Sequence, residues 1–196
     1  MRLLRQISIW ALMLGIVGAS YVRATDSGIK VSAAIPLFLK IITYDANFKP
    51  DSIESIRIHV VYDPSLPESM KQMQQSRDYF KGNSGLKVSG LEVEYHLIKT
   101  SQIDNTFESQ DTKCYDLLIV THIGDDGIGR LVKKVRGKGI HTFAFDPEHV
   151  PFGLTVGIRD HQTKNPILVN LDQAKAENSQ FTAHLLKMCE IYEPTD

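Results

Sequence analysis

Cysteine is scarce in this chain: only Cys114 and Cys189 occur among 196 residues, so a disulfide framework could amount to one bridge at most. Charge of either sign is not in excess. The 22 Lys and Arg and 23 Asp and Glu leave a net charge of -1, which removes the electrostatic case for nucleic acid or for a strongly acidic substrate. No Gly-x-Ser-x-Gly elbow occurs to hold a serine nucleophile. There are no internal repeats and no low-complexity tract. With 42% hydrophobic and 23% charged residues, the composition is that of an ordinary globular chain.

What is present starts with a leader. Met1-Arg-Leu-Leu-Arg-Gln carries two arginines, Ile7 to Val22 is almost free of charge, and Val22-Arg23-Ala24 offers modest residues before a cut. That pattern predicts a cleaved secretory signal peptide over residues 1–24, with the cut between Ala24 and Thr25, and hence a periplasmic protein. The apolar run is shorter than the roughly 20 residues a spanning helix wants, and no cysteine lies near the cut to take a lipid. From Thr25 onward the chain forms one expected domain, long enough to bury roughly 70% of its unfolded surface.

Export and an even cysteine count invite a bridge between Cys114 and Cys189. Two separate buried thiols fit the same positions, one before an apolar strand and one on the apolar side of a helix.

Hydrophobic periodicity then orders the elements. A helix is expected from Ile35 or Pro36 to Tyr44, with Pro36 in its first turn. Ile56 to Tyr62 reads as a strand, Pro67 to Phe80 as a helix with an inner stripe of Met70, Met73, Arg77 and Phe80, and Val93 to Ile98 as a second strand. Gln102 to Glu108 is a short weak helix. Tyr115 to Thr121 is the near-continuous apolar run that parallel sheets use. Leu131 to Val135 is a helix, and Ile140 to Phe145 the next strand. The tail reads as a hairpin, Leu154 to Ile158 against Pro166 to Val169, followed by a closing helix over Phe181 to Ile191. The fold class is therefore α/β: a Rossmann-like three-layer sandwich with a mixed sheet, a C-terminal antiparallel hairpin and a closing helix.

Candidate chemistry is thin. Gly124-Asp-Asp-Gly-Ile-Gly129 lies where doubly wound sheets hold phosphates, but Asp125 and Asp126 would repel an anion and suit the first turn of a helix instead. His141, Asp146, Glu148 and His149 are metal-ligand types without helical i, i+4 or finger spacing, and read as structural. Asp63 ends a strand as a receiver aspartate does, yet no acid closes Tyr115 to Val120 and no lysine follows Phe145. Met70, Met73, Tyr79-Phe80 and Val150-Pro-Phe152 are either core or a partner-binding patch. No catalytic, metal or cofactor residues are assigned, and the chain is expected not to be an enzyme.

The order of motifs resembles the YfiR-like family of periplasmic bacterial proteins. It is carried by Lys40-Ile-Ile-Thr-Tyr-Asp, Tyr115-Asp-Leu-Leu-Ile-Val, Gly153-Leu-Thr-Val-Gly157-Ile, Pro166-Ile-Leu-Val-Asn170-Leu and Leu185-Leu186-Lys-Met. The resemblance implies an α/β sandwich and, after its best-known member, a dimeric repressor of a membrane-bound diguanylate cyclase acting through the cyclase's periplasmic domain. It also implies structural roles for Gly157, Asn170, Leu185 and Leu186. The chain departs from that member in lacking its pairs of disulfide cysteines. The expected function is thus a non-enzymatic periplasmic regulator. The alternative is a small-molecule binding protein serving a transporter or sensor, with its ligand at the carboxyl edge of the sheet near Asp63, Gly124 and Asp146.

Overall fold

The computed structural model describes residues 30–107, 113–159 and 166–194; the leader and its cut at Ala24–Thr25 lie outside them. In chain order the elements are α1 (Val31–Ile42), β1 (Ser55–Tyr62), α2 (Pro67–Gly82), β2 (Lys87–Val88), β3 (Leu91–Lys99), α3 (Ile103–Thr106), β4 (Cys114–Val120), α4 (Asp125–Val135), β5 (His141–Ala144), β6 (Val156–Ile158), β7 (Ile167–Val169), α5 (Leu171–Ala176), α6 (Ala183–Leu186) and β8 (Cys189–Ile191). Three short 3₁₀ turns punctuate them, the last over Pro147–His149.

The strands join in one mixed sheet of order β2-β3-β1-β4-β5-β6-β7-β8. β3, β1, β4, β5 and β6 run parallel, while β7 turns antiparallel to β6 and β8 lies parallel to β7. Taken in order of appearance, the parallel strands stand 2-1-3-4-5, the doubly wound order whose reversal lies between the first and third of them, here β1 and β4.

Alternation along the strands divides the core in two. Ile56, Ile58 and Val60 of β1 and Tyr115, Leu117 and Ile119 of β4 point into a cluster with Ile35, Phe38 and Ile42 of α1 and Phe80 of α2. Val61, Leu118 and Val120 point the other way, onto Ile103 of α3 and Ile128, Leu131 and Val135 of α4. Helices thus cover both faces, giving the three-layer sandwich with its antiparallel hairpin at β6–β7.

Several local expectations are corrected. α1 begins at Val31, so Pro36 sits inside the helix rather than at its start. The carbonyl it leaves unpaired in the i−4 ladder is that of Ser32, an exposed residue, so water can satisfy it, while Val31, Ala34, Ile35 and Phe38 bury on the other side. α4 begins at Asp125, a turn and a half before the expected Leu131. Gly127 and Gly129 weaken that turn's propensity, but the acidic first turn and the buried Ile128 carry the helix back to Gly124. On α2 the inward side is Ser69, Met73, Ser76 and Phe80, with Met70 and Arg77 only half-buried.

The closing helix also differs. Only Ala183–Leu186 is helical, and Cys189–Ile191 instead becomes β8, which pairs with the edge that β7 would otherwise expose. Leu185 and Cys189 are buried, Leu186 is half-buried and Met188 is exposed. The i, i+4 pair served a helix and this turn-plus-strand equally well. Cys114 and Cys189 do not bridge. β4 and β8 stand four strands apart, roughly 19 Å at the usual spacing, far beyond the roughly 7 Å Cα limit of a disulfide.

Asn170 stands where β7 ends. Its Oδ1 accepts from Gln173 N at 3.0 Å and caps α5, a helix absent from the sequence reading. Gly157 of β6 lies against the turn at Pro147, where an added Cβ would come within 2.7 Å of both Pro147 Cα and Val150 Cγ2. β5 and β6 share a short ladder of two residue pairs, reinforced by the buried Glu177. Its carboxylate accepts from Thr142 N at 2.9 Å, Thr142 Oγ1 at 2.5 Å, Thr155 Oγ1 at 2.6 Å and Gln173 Nε2 at 3.0 Å. Burial still pushes its pKa up to about 7.

Candidate functional site at the carboxyl edge

The reversal of strand order sets where a site can form. The crossover after β1 leaves through α2 on one face, and that after β4 leaves through α4 on the other, so the carboxyl ends of the two strands diverge. In open α/β sheets that divergence is the crevice ligands use.

A chain of hydrogen bonds knits its floor. Asp63 N donates to Ser69 Oγ at 2.8 Å, Ser69 Oγ and Thr121 Oγ1 are 2.6 Å apart, and Thr121 Oγ1 donates to Val61 O at 3.0 Å. Each hydroxyl here accepts one bond and donates one, so the buried Ser69 and Thr121 are satisfied and α2 is pinned to both strand ends. Asp63 Oδ1 accepts from Ser65 N and Ser65 Oγ, closing the turn into α2.

Beside this floor, three ligand-type side chains converge. His122 follows β4 by two residues, and its N–H is held by Gln72 Oε1 of α2 at 2.7 Å. Asp146 follows β5 by two residues and caps the Pro147–His149 turn through Oδ1, which accepts from Glu148 N at 3.0 Å. Its other oxygen, Oδ2, lies 2.9 Å from His122 Nδ1 and 4.0 Å from His149 Nε2. The two imidazoles stack at 6.0 Å. One nitrogen or oxygen from each of the three residues lies within 4.8 Å of the other two, the only such group of ligand types among the described residues. His122 is half-exposed and His149 is buried. Burial lowers the His149 pKa, against the pull of Asp146, so its imidazole is neutral near neutral pH. Its Nδ1 is buried without a hydrogen-bond partner among the described residues.

The edge therefore unites Asp63, Gly124 (the N-cap of α4) and Asp146, the positions expected for a ligand, and adds His122, Ser69, Thr121 and Gln72, which the sequence reading missed. His141 is parted from Asp146 and His149. It sits at the amino end of β5, stacked on Tyr115 at 4.2 Å and bonded to Ser179. The signal for His122 was its place one residue beyond a buried strand, but its pairing with Asp146 needs β4 and β5 to be neighbours. Phe152, three residues beyond His149, is 49% exposed; Met73, Phe80 and Val150 of the expected partner patches are core.

A second concavity lies on the face of the sheet that α3 and α4 cover. A cavity of about 430 Å³ is bounded by Arg57, His59, His96, Phe107, Asp116 and Ile140. Part of its polar wall is paired within itself, while His59 Nδ1 is buried without a hydrogen-bond partner among the described residues. Arg57 grips Asp116 through two bonds at 2.7 and 2.9 Å, and His59 Nε2 stands 3.3 Å from the same carboxylate. Burial pushes the Asp116 carboxyl up, but the bonds from His59 and Arg57 outweigh it and hold it below its usual range.

The fold is shared with solved proteins of low sequence identity. The chain is similar to a ligand-free, open substrate-binding protein with adhesive properties from Clostridium difficile, at 14% identity and a TM-score of 0.59 over 86% of this chain and 61% of that one. It is also similar to a conserved domain protein from Vibrio cholerae O1 biovar eltor (12%, TM-score 0.55, 82% and 59%). A third neighbour is an ABC domain in complex with L-Trp from Streptococcus pneumoniae (16%, TM-score 0.52, 78% and 58%). The aligned region spans about three fifths of each neighbour's length. No protein-family model matches the chain, and no curated protein matches it by sequence.

Proposed function

We propose that this chain is a non-catalytic, exported small-solute-binding protein that receives its ligand at the carboxyl edge between β1, β4 and β5. The observation that carries this reading is the reversal of strand order at β1/β4, with His122, Asp146 and His149 gathered beside it. The likeness in fold to a substrate-binding protein and to an ABC domain in complex with L-Trp supports it. So does the half-exposed Phe152 three residues beyond His149, because solute sites combine an apolar wall with a few placed polar groups.

A thermal-shift screen in metal-free buffer with amino acids, monosaccharides and nucleosides tests the reading. A cognate solute at a hundred times its Kd should raise Tm by roughly 5–10 °C. Phe152→Ala and His122→Ala should shrink that shift, and His96→Ala in the other cavity should leave it intact. No shift with any class, or a shift lost only in His96→Ala, overturns the reading.

The YfiR-like resemblance would instead have the chain hold the periplasmic domain of a membrane-bound signalling protein. Such a regulator gains no stability from free solutes, so the same screen separates the two.

A further inference from the structure

We propose that His122, Asp146 and His149 form a binding site for a zinc-class divalent transition-metal ion, with one coordination position turned toward the carboxyl-edge crevice. The inference rests on the solute-binding reading in its location and deepens it by naming the cation as what the edge takes, alone or as the anchor for a coordinating solute.

The donor set comes first. Two imidazoles and one carboxylate suit zinc and its neighbours, whereas calcium and magnesium demand oxygen ligands. Geometry follows. A tetrahedral ion bound at about 2.0–2.1 Å sets its ligand atoms roughly 3.4 Å apart. The separations from Asp146 Oδ2, 2.9 Å to His122 Nδ1 and 4.0 Å to His149 Nε2, fall on either side of that value, and one ligand-type atom from each of the three residues lies within 4.8 Å of the other two. Small rotations of the half-exposed His122 would admit the ion.

The ligands are also held from behind, as metal ligands usually are. Asp146 Oδ1 is fixed by Glu148 N, leaving Oδ2 for the ion. The backbone of His122 is tied to Gln72 of α2. The turn bearing His149 is pressed into place by Gly157, whose missing side chain lets Pro147 and Val150 close down on β6. Three protein ligands leave the fourth position of a tetrahedron open, on the side where 49% of the His122 side chain meets solvent.

Tag-free protein stripped with a chelator and titrated with Co²⁺ tests this directly. One equivalent should produce the visible absorption of a tetrahedral cobalt site, and Zn²⁺ should displace it. His122→Ala and Asp146→Asn should each weaken binding by about 100-fold or more, with the far-ultraviolet circular dichroism unchanged. His149 is buried, so the exposed His122 is the variant on which the argument stands, and His96→Ala should bind as the parent does. No cobalt site, or full affinity in both His122→Ala and Asp146→Asn, overturns the inference. Metal binding without any organic solute leaves it standing while overturning the solute reading; solute capture by protein that ignores Co²⁺ leaves the solute reading and removes the metal.

Discussion

At the scale of single residues, Gly157 couples the core to the edge. A methyl group there would strike Pro147 Cα and Val150 Cγ2, both at 2.7 Å, and Pro147 is backbone that cannot step aside. Gly157→Ala is expected to cost about 1–3 kcal/mol in urea unfolding and, by moving the Asp146–His149 turn, to weaken ligand capture as well. Unchanged stability would mean that the turn is free to shift. Asn170→Ala should cost about 1 kcal/mol through loss of the α5 cap.

The buried titratable groups set a pH signature. Glu177, with a folded pKa of about 7 against an ordinary 4.5, takes up a proton on folding in that interval. Its contribution is fully present at low pH and is lost as pH rises through 7. His141 is driven by burial down to about 4 from 6.5, so its contribution is present above 6.5 and lost as pH falls toward 4. Between about 4.5 and 6.5 the two oppose each other. Glu177→Gln should expose the histidine's slope, so the variant loses stability faster than the parent on acidification from pH 6.5 to 4.5. Parallel stability curves for the two proteins would contradict these assignments.

At the scale of elements, α1 makes a counterintuitive prediction. Pro36 is exposed and sits in the helix interior, so Pro36→Ala restores a ladder bond and removes a clash without disturbing the core. The substitution should raise stability, by about 1–3 kcal/mol. A loss of stability would show that the helix starts at Pro36 after all.

The same element shows why the sequence was partly legible. β1 and β4 announce themselves because their buried faces need unbroken apolar residues, and β6 and β7 because turn formers separate them. Boundaries at Pro36 and Gly127 were hidden, because tertiary burial outweighed local propensity there. Phe181 to Ile191 was misread because an apolar spacing of four is shared by a helix and by a turn entering an edge strand. The site was the least legible: His122 and Asp146 lie 24 positions apart and meet only once β4 and β5 are adjacent, a fact of topology that no local pattern carries.

At the scale of the whole molecule, a 2-1-3-4-5 parallel core presents the proposed ligand edge, and the leader is proposed to carry it out of the cell. The proposed leader predicts that protein recovered from the periplasm begins at Thr25, as amino-terminal sequencing would read; a chain still starting at Met1 would remove export by cleavage. The proposed ligand site is the carboxyl edge, not the cavity bounded by Arg57 and His96. Amide chemical shifts on ¹⁵N-labelled protein test it most directly, recorded before and after adding Zn²⁺ and then pooled amino acids, monosaccharides and nucleosides. The largest changes are expected at Asp63, Ser65, His122, Gly124, Asp146 and His149. Changes concentrated instead at Arg57, His59, His96 and Asp116 would contradict it.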